Sequence, residues 1–264
     1  MIDHHVHLGT DCKTGFSLTL EELLEKMELF GLDKSVVFSP PNVKPKINPY
    51  QRENEQISSS CKDHPRIIPF MFVHPFLDEI EYLWDFSPEF QGFKLSSRGK
   101  DMEYHYQDLR YSRVIDFLLS TNKPLLFHTG YRDTTRIKHL IKIIKDTKSP
   151  IVFAHAGDLI EEDLIEISQY ENVFIDISPM ATMLKLGFFT NERNRSEELK
   201  KLTIRGILSY LERIFGKKRI VWGSDSPWCD NLLLEGYKRE IEVGRLMFQE
   251  GFNSSYLNYE KPTP

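Results

Sequence analysis

Two histidines one residue apart, His5 and His7, stand in the opening stretch Met1-Ile2-Asp3-His4-His5-Val6-His7. On a β-strand, residues two apart point to the same face, so these imidazoles would project side by side. Two neutral imidazoles aimed at one point can hold a divalent transition metal, provided that other parts of the chain supply more ligands. By itself the pair suits a solvated loop equally well. His4 falls on the opposite side of such a strand and is expected to face a helix or solvent.

Other polar residues stand at the ends of apolar runs. Lys94 lies in Gly92-Phe93-Lys94-Leu95, and His128 closes Pro124-Leu125-Leu126-Phe127-His128. His155 closes Pro150-Ile151-Val152-Phe153-Ala154-His155, and Asp225 closes Arg219-Ile220-Val221-Trp222-Gly223-Ser224-Asp225. Burying an imidazole or carboxylate there costs free energy unless it is hydrogen-bonded or metal-bound. Zinc is the natural candidate for such ligands, and iron, manganese or nickel could use the same set. His5, His7, His128 and Asp225 are the expected inner ligands, leaving room for water or substrate. A metal held there would lower the pKa of a water. Asp225 would then accept its proton, and His155 would polarise the substrate or protonate a leaving group.

The elements that must position these residues follow one alternation. Short β-branched and aromatic runs begin the pattern at Met1 to His7, Ser35 to Ser39, Ile67 to Val73 and Gly92 to Leu95. They continue at Pro124 to His128, Pro150 to His155, Val173 to Ile177 and Arg219 to Asp225. Each reads as a strand. Between them, Leu18–Met27, Asn54–Cys61, Leu77–Trp84, Leu109–Leu119, Ile137–Ile144, Leu159–Ile167, Leu199–Phe215 and Tyr237–Phe248 read as helices. Thr19 followed by Glu22 predicts a capping box, and Gly31 predicts the end of that first helix. Eight strand-then-helix units in 264 residues suit one closed (β/α)8 TIM barrel, placing the strand-end residues at its mouth. No Gly-rich dinucleotide loop follows the first strand. The expected domain is 1–252, with 253–264 a loosely ordered C-terminal tail.

Composition narrows the function classes. A net charge of −5 argues against a general nucleic-acid or membrane-surface binder. No apolar run approaches the roughly 20 residues of a membrane span, and no secretory signal is visible. Cys12, Cys61 and Cys229 lack CxxC spacing, so a reducing, cytoplasmic setting without disulfides is expected. A small-molecule substrate is the expected partner, and homo-oligomerisation is left open.

Asp3-x-His5-x-His7, His128-Thr129-Gly130, Ala154-His155-Ala156-Gly157 and the run from Arg219 to Trp228 together resemble the metal-dependent amidohydrolase superfamily. The branch most similar includes aminocarboxymuconate-semialdehyde decarboxylase and many hydrolases. The resemblance spans the chain and implies a distorted TIM barrel with one or two metals. It implies His5, His7 and His128 as ligands, Asp225 as ligand and base, and His155 as ligand or catalytic acid. In binuclear members a carboxylated lysine on the fourth strand bridges two metals, and Lys94 occupies that strand here. Related branches often show His-Pro after this element, whereas Ser96-Ser97 follows here.

Around the mouth, His74, Arg98, Arg132 and Trp228 are candidate pocket residues or ordinary surface residues; an arginine would suit a carboxylate or phosphate. Thr190 to Arg195 is a candidate lid. His64, His105 and His139 are expected in structural or surface roles. The expected activity is metal-dependent hydrolysis of a small amide, lactone or ester. The alternatives are a non-oxidative decarboxylase of an unsaturated or aromatic acid, a metal-dependent phosphoesterase or nuclease, and a non-catalytic binding protein on a decayed barrel.

Overall fold

The computed structural model describes residues 1–41, 46–97, 102–130, 132–188, 199, 203–252 and 255–258. Eight parallel strands follow one another around a barrel in chain order. They are β1 (Ile2–His7), β2 (Lys34–Phe38), β3 (Ile67–Val73), β4 (Gly92–Leu95), β5 (Leu125–Phe127), β6 (Ile151–Phe153), β7 (Val173–Asp176) and β8 (Ile220–Val221). The ring closes between the last strand and the first. His4 N donates to Trp222 O at 3.0 Å, Asp225 N to His5 O at 2.8 Å, and His7 N to Ser226 O at 2.7 Å. Gly223 permits this approach, because a Cβ there would meet His5 Cβ at 2.5 Å.

Strand alternation divides the core into two layers. Val37, Met71, Val73, Phe93, Leu95, Phe127 and Phe153 pack outward against the helices. Val36, Phe38, Phe70, Phe72, Leu126, Val152, Phe174 and Val221 fill the barrel. Each such side chain contributes about 1.5–3 kcal/mol by burial, and truncating Phe72 to alanine would cost about 3–5 kcal/mol. Lys94, between outward-facing Phe93 and Leu95, therefore faces the barrel interior.

Helices α1 (Leu20–Phe30), α2 (Gln51–Cys61), α3 (Ile80–Phe86) and α4 (Arg113–Ser120) cover one part of the barrel. Further round are α5 (Ile141–Lys145), α6 (Glu161–Ser168), α7 (Ile204–Phe215) and α8 (Gly236–Gln249), with short helices Met180–Lys185 and Trp228–Leu232 in the segments after β7 and β8. The capping box forms between Thr19 and Glu22, and Gly31 ends α1 with φ 70°. The continuous helix expected over Leu109–Leu119 is instead broken. A 3-10 segment, Tyr106–Tyr111, precedes α4. Ser112 separates the two by donating to Pro75 O and accepting from Ile115 N. A two-stranded antiparallel ribbon, Gly9–Thr10 with Ser17–Leu18, takes in Leu18, where the first helix was expected to begin; two residues are too few to show a period.

Two further expectations need correction. His4 faces neither a helix nor solvent: it is buried and packs against Tyr256 with ring centroids 4.8 Å apart. The cause is a bulge. Asp3 pairs with Ser35 and Val6 with Val37, so three residues of β1 span two of β2, and strict alternation fails across His4 and His5. The tail is not loose over residues 255–258, because Tyr256 is buried against Phe70 and Phe174 inside the barrel. Arg98 and the expected lid, Thr190 to Arg195, lie outside the described residues.

Candidate metal centre

β1 carries His5 and His7 to the C-terminal end of the barrel. Asp225 follows β8 and stands between them, its Oδ1 3.3 Å from His5 Nε2 and 3.2 Å from His7 Nε2. The far side of each ring is already engaged. His5 Nδ1 donates to Asp176 Oδ2 at 2.6 Å, and His7 Nδ1 lies 3.2 Å from Ser39 O. A ring whose Nδ1–H points to an acceptor keeps its lone pair on Nε2. Two lone pairs therefore converge on one carboxylate oxygen, an arrangement that repels itself unless a cation lies between.

The donor set fits a divalent ion. Ligand atoms about 3.3 Å apart are what a tetrahedral zinc with bonds of about 2.0–2.1 Å requires. The backing carboxylate and carbonyl behind each imidazole orient the ring and raise its basicity. His5, His7 and Asp225 form a compact group of potential ligands, with all donor atoms within 4.8 Å of one another.

Electrostatics suit the same role. Burial pushes the His5 pKa well below the ordinary value, helped by the Lys94 charge, so the ring is neutral. Burial acts to raise the Asp225 pKa, and positive charge among His5, His7 and His155 draws it well below its usual range; with the rings neutral, a bound cation would supply that charge. Asp225 also has φ 57°, in the left-handed region. That conformation costs a non-glycine residue on the order of 1–3 kcal/mol and is typical of positions held for function.

His155 and His128 form a second pair beside this group. His155 Nδ1 donates to Ser178 O at 2.7 Å, leaving its Nε2 to accept from His128 Nδ1 at 2.9 Å. His155 lies 5.3 Å from His5 between ring centroids, and it too has a left-handed backbone. Burial lowers its pKa. His128, expected as an inner ligand, lies outside the compact donor group and meets it through His155. Lys94 Nζ is 3.5 Å from His5 Nε2 and 4.8 Å from the Phe38 ring centroid.

Two residues that sequence reasoning did not assign to the site organise it. Asp176, the last residue of β7, fixes the His5 tautomer. Ser178 Oγ lies 2.9 Å from both Asp176 Oδ2 and His5 Nδ1, while Ser178 O holds His155. Asp176 ends an apolar strand as His128 does, so the signal was present.

The other mouth candidates separate. His74 is buried beside Tyr104, Arg132 pairs with Glu103, and half-buried Trp228 packs against Phe16. His105, Asp133 and His139 also gather, with each His Nε2 3.5 Å from Asp133 Oδ2. His105 Nδ1, however, accepts from Gln107 N at 3.0 Å. Its proton therefore sits on Nε2, which suits a bond to Asp133 and not a metal. Cys12, Cys61 and Cys229 form no disulfide. No helix among the described residues is long and apolar enough to cross a membrane.

Comparisons with known proteins agree with this architecture. A search of curated protein sequences finds no significant match. Among solved structures, a putative 2-pyrone-4,6-dicarboxylic acid hydrolase from Pseudomonas putida superposes with a TM-score of 0.64 at 17% identity, covering 97% of this chain and 92% of that one. An amidohydrolase from Burkholderia multivorans with bound zinc gives 0.64 at 15% identity, covering 96% and 92%. The 5-carboxyvanillate decarboxylase of Sphingomonas paucimobilis gives 0.60 at 12% identity, covering 97% and 99%. At these identities the likeness establishes the TIM-barrel fold. The amidohydrolase family profile matches residues 23–239, most of the barrel, and the chain belongs to the amidohydrolase family of enzymes.

Proposed function

We propose that this enzyme hydrolyses a small ester, lactone or amide, using one divalent ion, zinc by preference, held by His5, His7 and Asp225. The observation that carries the reading is the convergence of two imidazole lone pairs on the Asp225 carboxylate, with each ring anchored from behind. A divalent ion in such a site lowers the pKa of water and polarises a carbonyl.

The chain's own residues supply the rest. Asp176 and Ser39 hold the two rings in the tautomer that offers Nε2. Asp225, kept ionised by positive charge in the site, accepts the proton of the attacking water at its carboxylate. Asp225 then returns that proton to the departing oxygen or nitrogen, while His155, neutral with Nδ1–H on Ser178 O and Nε2 accepting from His128, holds the His128 side of the site in place. Lys94, buried beside His5, adds positive charge where the carbonyl oxygen becomes negative. Cysteines without disulfides support a reducing, cytoplasmic setting, and residues 1–252 with the Tyr256 anchor are taken as one catalytic unit.

The test uses purified enzyme on a panel of δ-lactones, aryl esters and anilides, with zinc or manganese added and then chelated. Turnover that disappears on chelation and returns with metal supports the reading. Turnover indifferent to chelation contradicts the metal role. Carbon dioxide release from hydroxybenzoates without hydrolysis of the panel would move the assignment to decarboxylation, the reaction named for the Sphingomonas structural neighbour.

A further inference from the structure

Beyond the end of β3 the barrel mouth contains buried polar atoms that nothing in the chain satisfies. Tyr50 Oη, Tyr104 Oη and Asp78 Oδ1 have no hydrogen-bond partner among the described residues, although all three side chains are more than nine-tenths buried. An isolated case would be unremarkable, but these three share one place. Asp78 Oδ2 accepts from His74 N at 2.8 Å, and Tyr104 packs on the His74 ring with centroids 5.2 Å apart. The Tyr50 loop joins them through Asn48, whose N donates to Leu77 O at 3.0 Å and whose Oδ1 accepts from Glu79 N at 2.8 Å.

The position borders the metal centre. Tyr50 lies against Phe72 at 4.2 Å between centroids, and Phe72 is the register partner of Lys94. Tyr104 is tied down from the other side. Ser97 Oγ accepts from Tyr104 N at 2.8 Å and donates to Tyr104 O. Ser97 belongs to the Ser96-Ser97 pair that replaces the His-Pro of related branches, so this departure has a structural consequence.

Leaving a buried hydroxyl or carboxyl oxygen unbonded is costly, and such groups persist where a ligand completes them. We infer that Tyr50, Tyr104 and Asp78 form a subsite for a hydroxyl group on the part of the substrate remote from the cleaved bond. The chemistry selects that ligand. A hydroxyl can donate to Asp78 and accept from either phenol. An anion would meet the Asp78 carboxylate, and a cation would leave both phenol protons without an acceptor. The inference rests on the hydrolase reading for the identity of the bond cleaved, but the binding it describes can be measured without turnover.

The probes are cyclohexanone and its 3- and 4-hydroxy derivatives, which resemble a six-membered lactone and cannot be hydrolysed. Their affinities for the zinc-loaded enzyme are measured by ligand-observed NMR titration. One hydroxylated ketone should bind about 10-fold tighter than the parent, the effect of one well-placed hydrogen bond. Tyr104→Phe and Tyr50→Phe should reduce that ratio toward 1, while Tyr111→Phe, at an exposed position, should keep it. Both subsite variants should melt no lower than the native enzyme, since neither hydroxyl has a partner to lose. A ratio near 1 in the native enzyme overturns the inference. So does a ratio that survives both substitutions, or a drop of several degrees in melting temperature. Hydrolysis of δ-valerolactone is assayed in the same samples. If it is absent while the ratio holds, the lactone reading fails and the subsite stands.

Discussion

The two sides of the barrel mouth treat buried polar groups in opposite ways. Around the ends of β6, β7, β8, β1 and β2, partners are dense: His5 is backed by Asp176, His7 by Ser39 and His155 by Ser178. On the β3 side, Tyr50, Tyr104 and Asp78 present oxygens with no partner among the described residues. Two carboxyls make the contrast plain. Burial acts to raise both, but Asp225 stands among His5, His7 and His155, where positive charge draws its pKa down. Asp78 has one backbone N–H against it, and burial pushes its pKa up to about 7. A fully braced side fits catalysis, which needs fixed geometry before substrate arrives. A side with unfilled hydrogen bonds fits recognition, where the incoming molecule completes them.

Substitutions on the braced side should have the largest effects. Asp225→Asn keeps the shape but removes the negative charge shared by both imidazoles. Activity should fall by on the order of 10³-fold or more, with near-ultraviolet circular dichroism unchanged. Native-like activity in this variant would remove Asp225 from the chemistry. Asp176→Asn acts one bond further out, loosening the His5 tautomer. Metal affinity should fall about 10–100-fold, measured by competition with a chelating dye, and an unchanged affinity would detach Asp176 from the site.

The β3 side should reveal itself through pH. The folded pKa of Asp78, about 7, lies above its ordinary value of 3.8, so the folded state holds its proton more tightly than the unfolded chain. Its contribution is therefore complete below about pH 4 and is lost as pH rises toward and past 7, by up to about 4 kcal/mol. Denaturant titrations across pH 4–8 should show a decline to which Asp3 and Glu240, raised to about 7 and about 8, also contribute, and Asp78→Asn should make it shallower by the Asp78 share. A decline of the same size in the variant would assign it to another group. The smallest effect lies away from the mouth altogether. Thr19→Ala removes the capping box of α1 and should cost about 1 kcal/mol without altering activity.

How much of this the sequence disclosed depended on the range of the interaction. Apolar runs ending in His128, His155 and Asp225 marked both the strands and the ends that gather at the candidate site, because burial of such groups is costly in any context. The inward turn of His4 was hidden because a bulge is a property of two paired strands, and the period of β1 alone does not show it. Asp176 ended an apolar strand like the others, yet its bond to His5 joins residues 171 positions apart. Ser178 gave no local sign at all. Tyr256 sat in a polar tail, and only the closed barrel supplies the cavity that takes its ring. The Tyr50, Tyr104 and Asp78 cluster brings three loops together, and its meaning lies in unmet hydrogen bonds that no sequence pattern records.

The central claim is that His5, His7 and Asp225 hold one divalent ion. Its most direct test is metal content by mass spectrometry after zinc loading and exhaustive dialysis, for the native enzyme, His5→Ala and Asp225→Asn. The account predicts about one zinc per chain in the native enzyme and a large loss in both variants, with all three folded. Equal zinc in all three, or none in a fully active native enzyme, would contradict it.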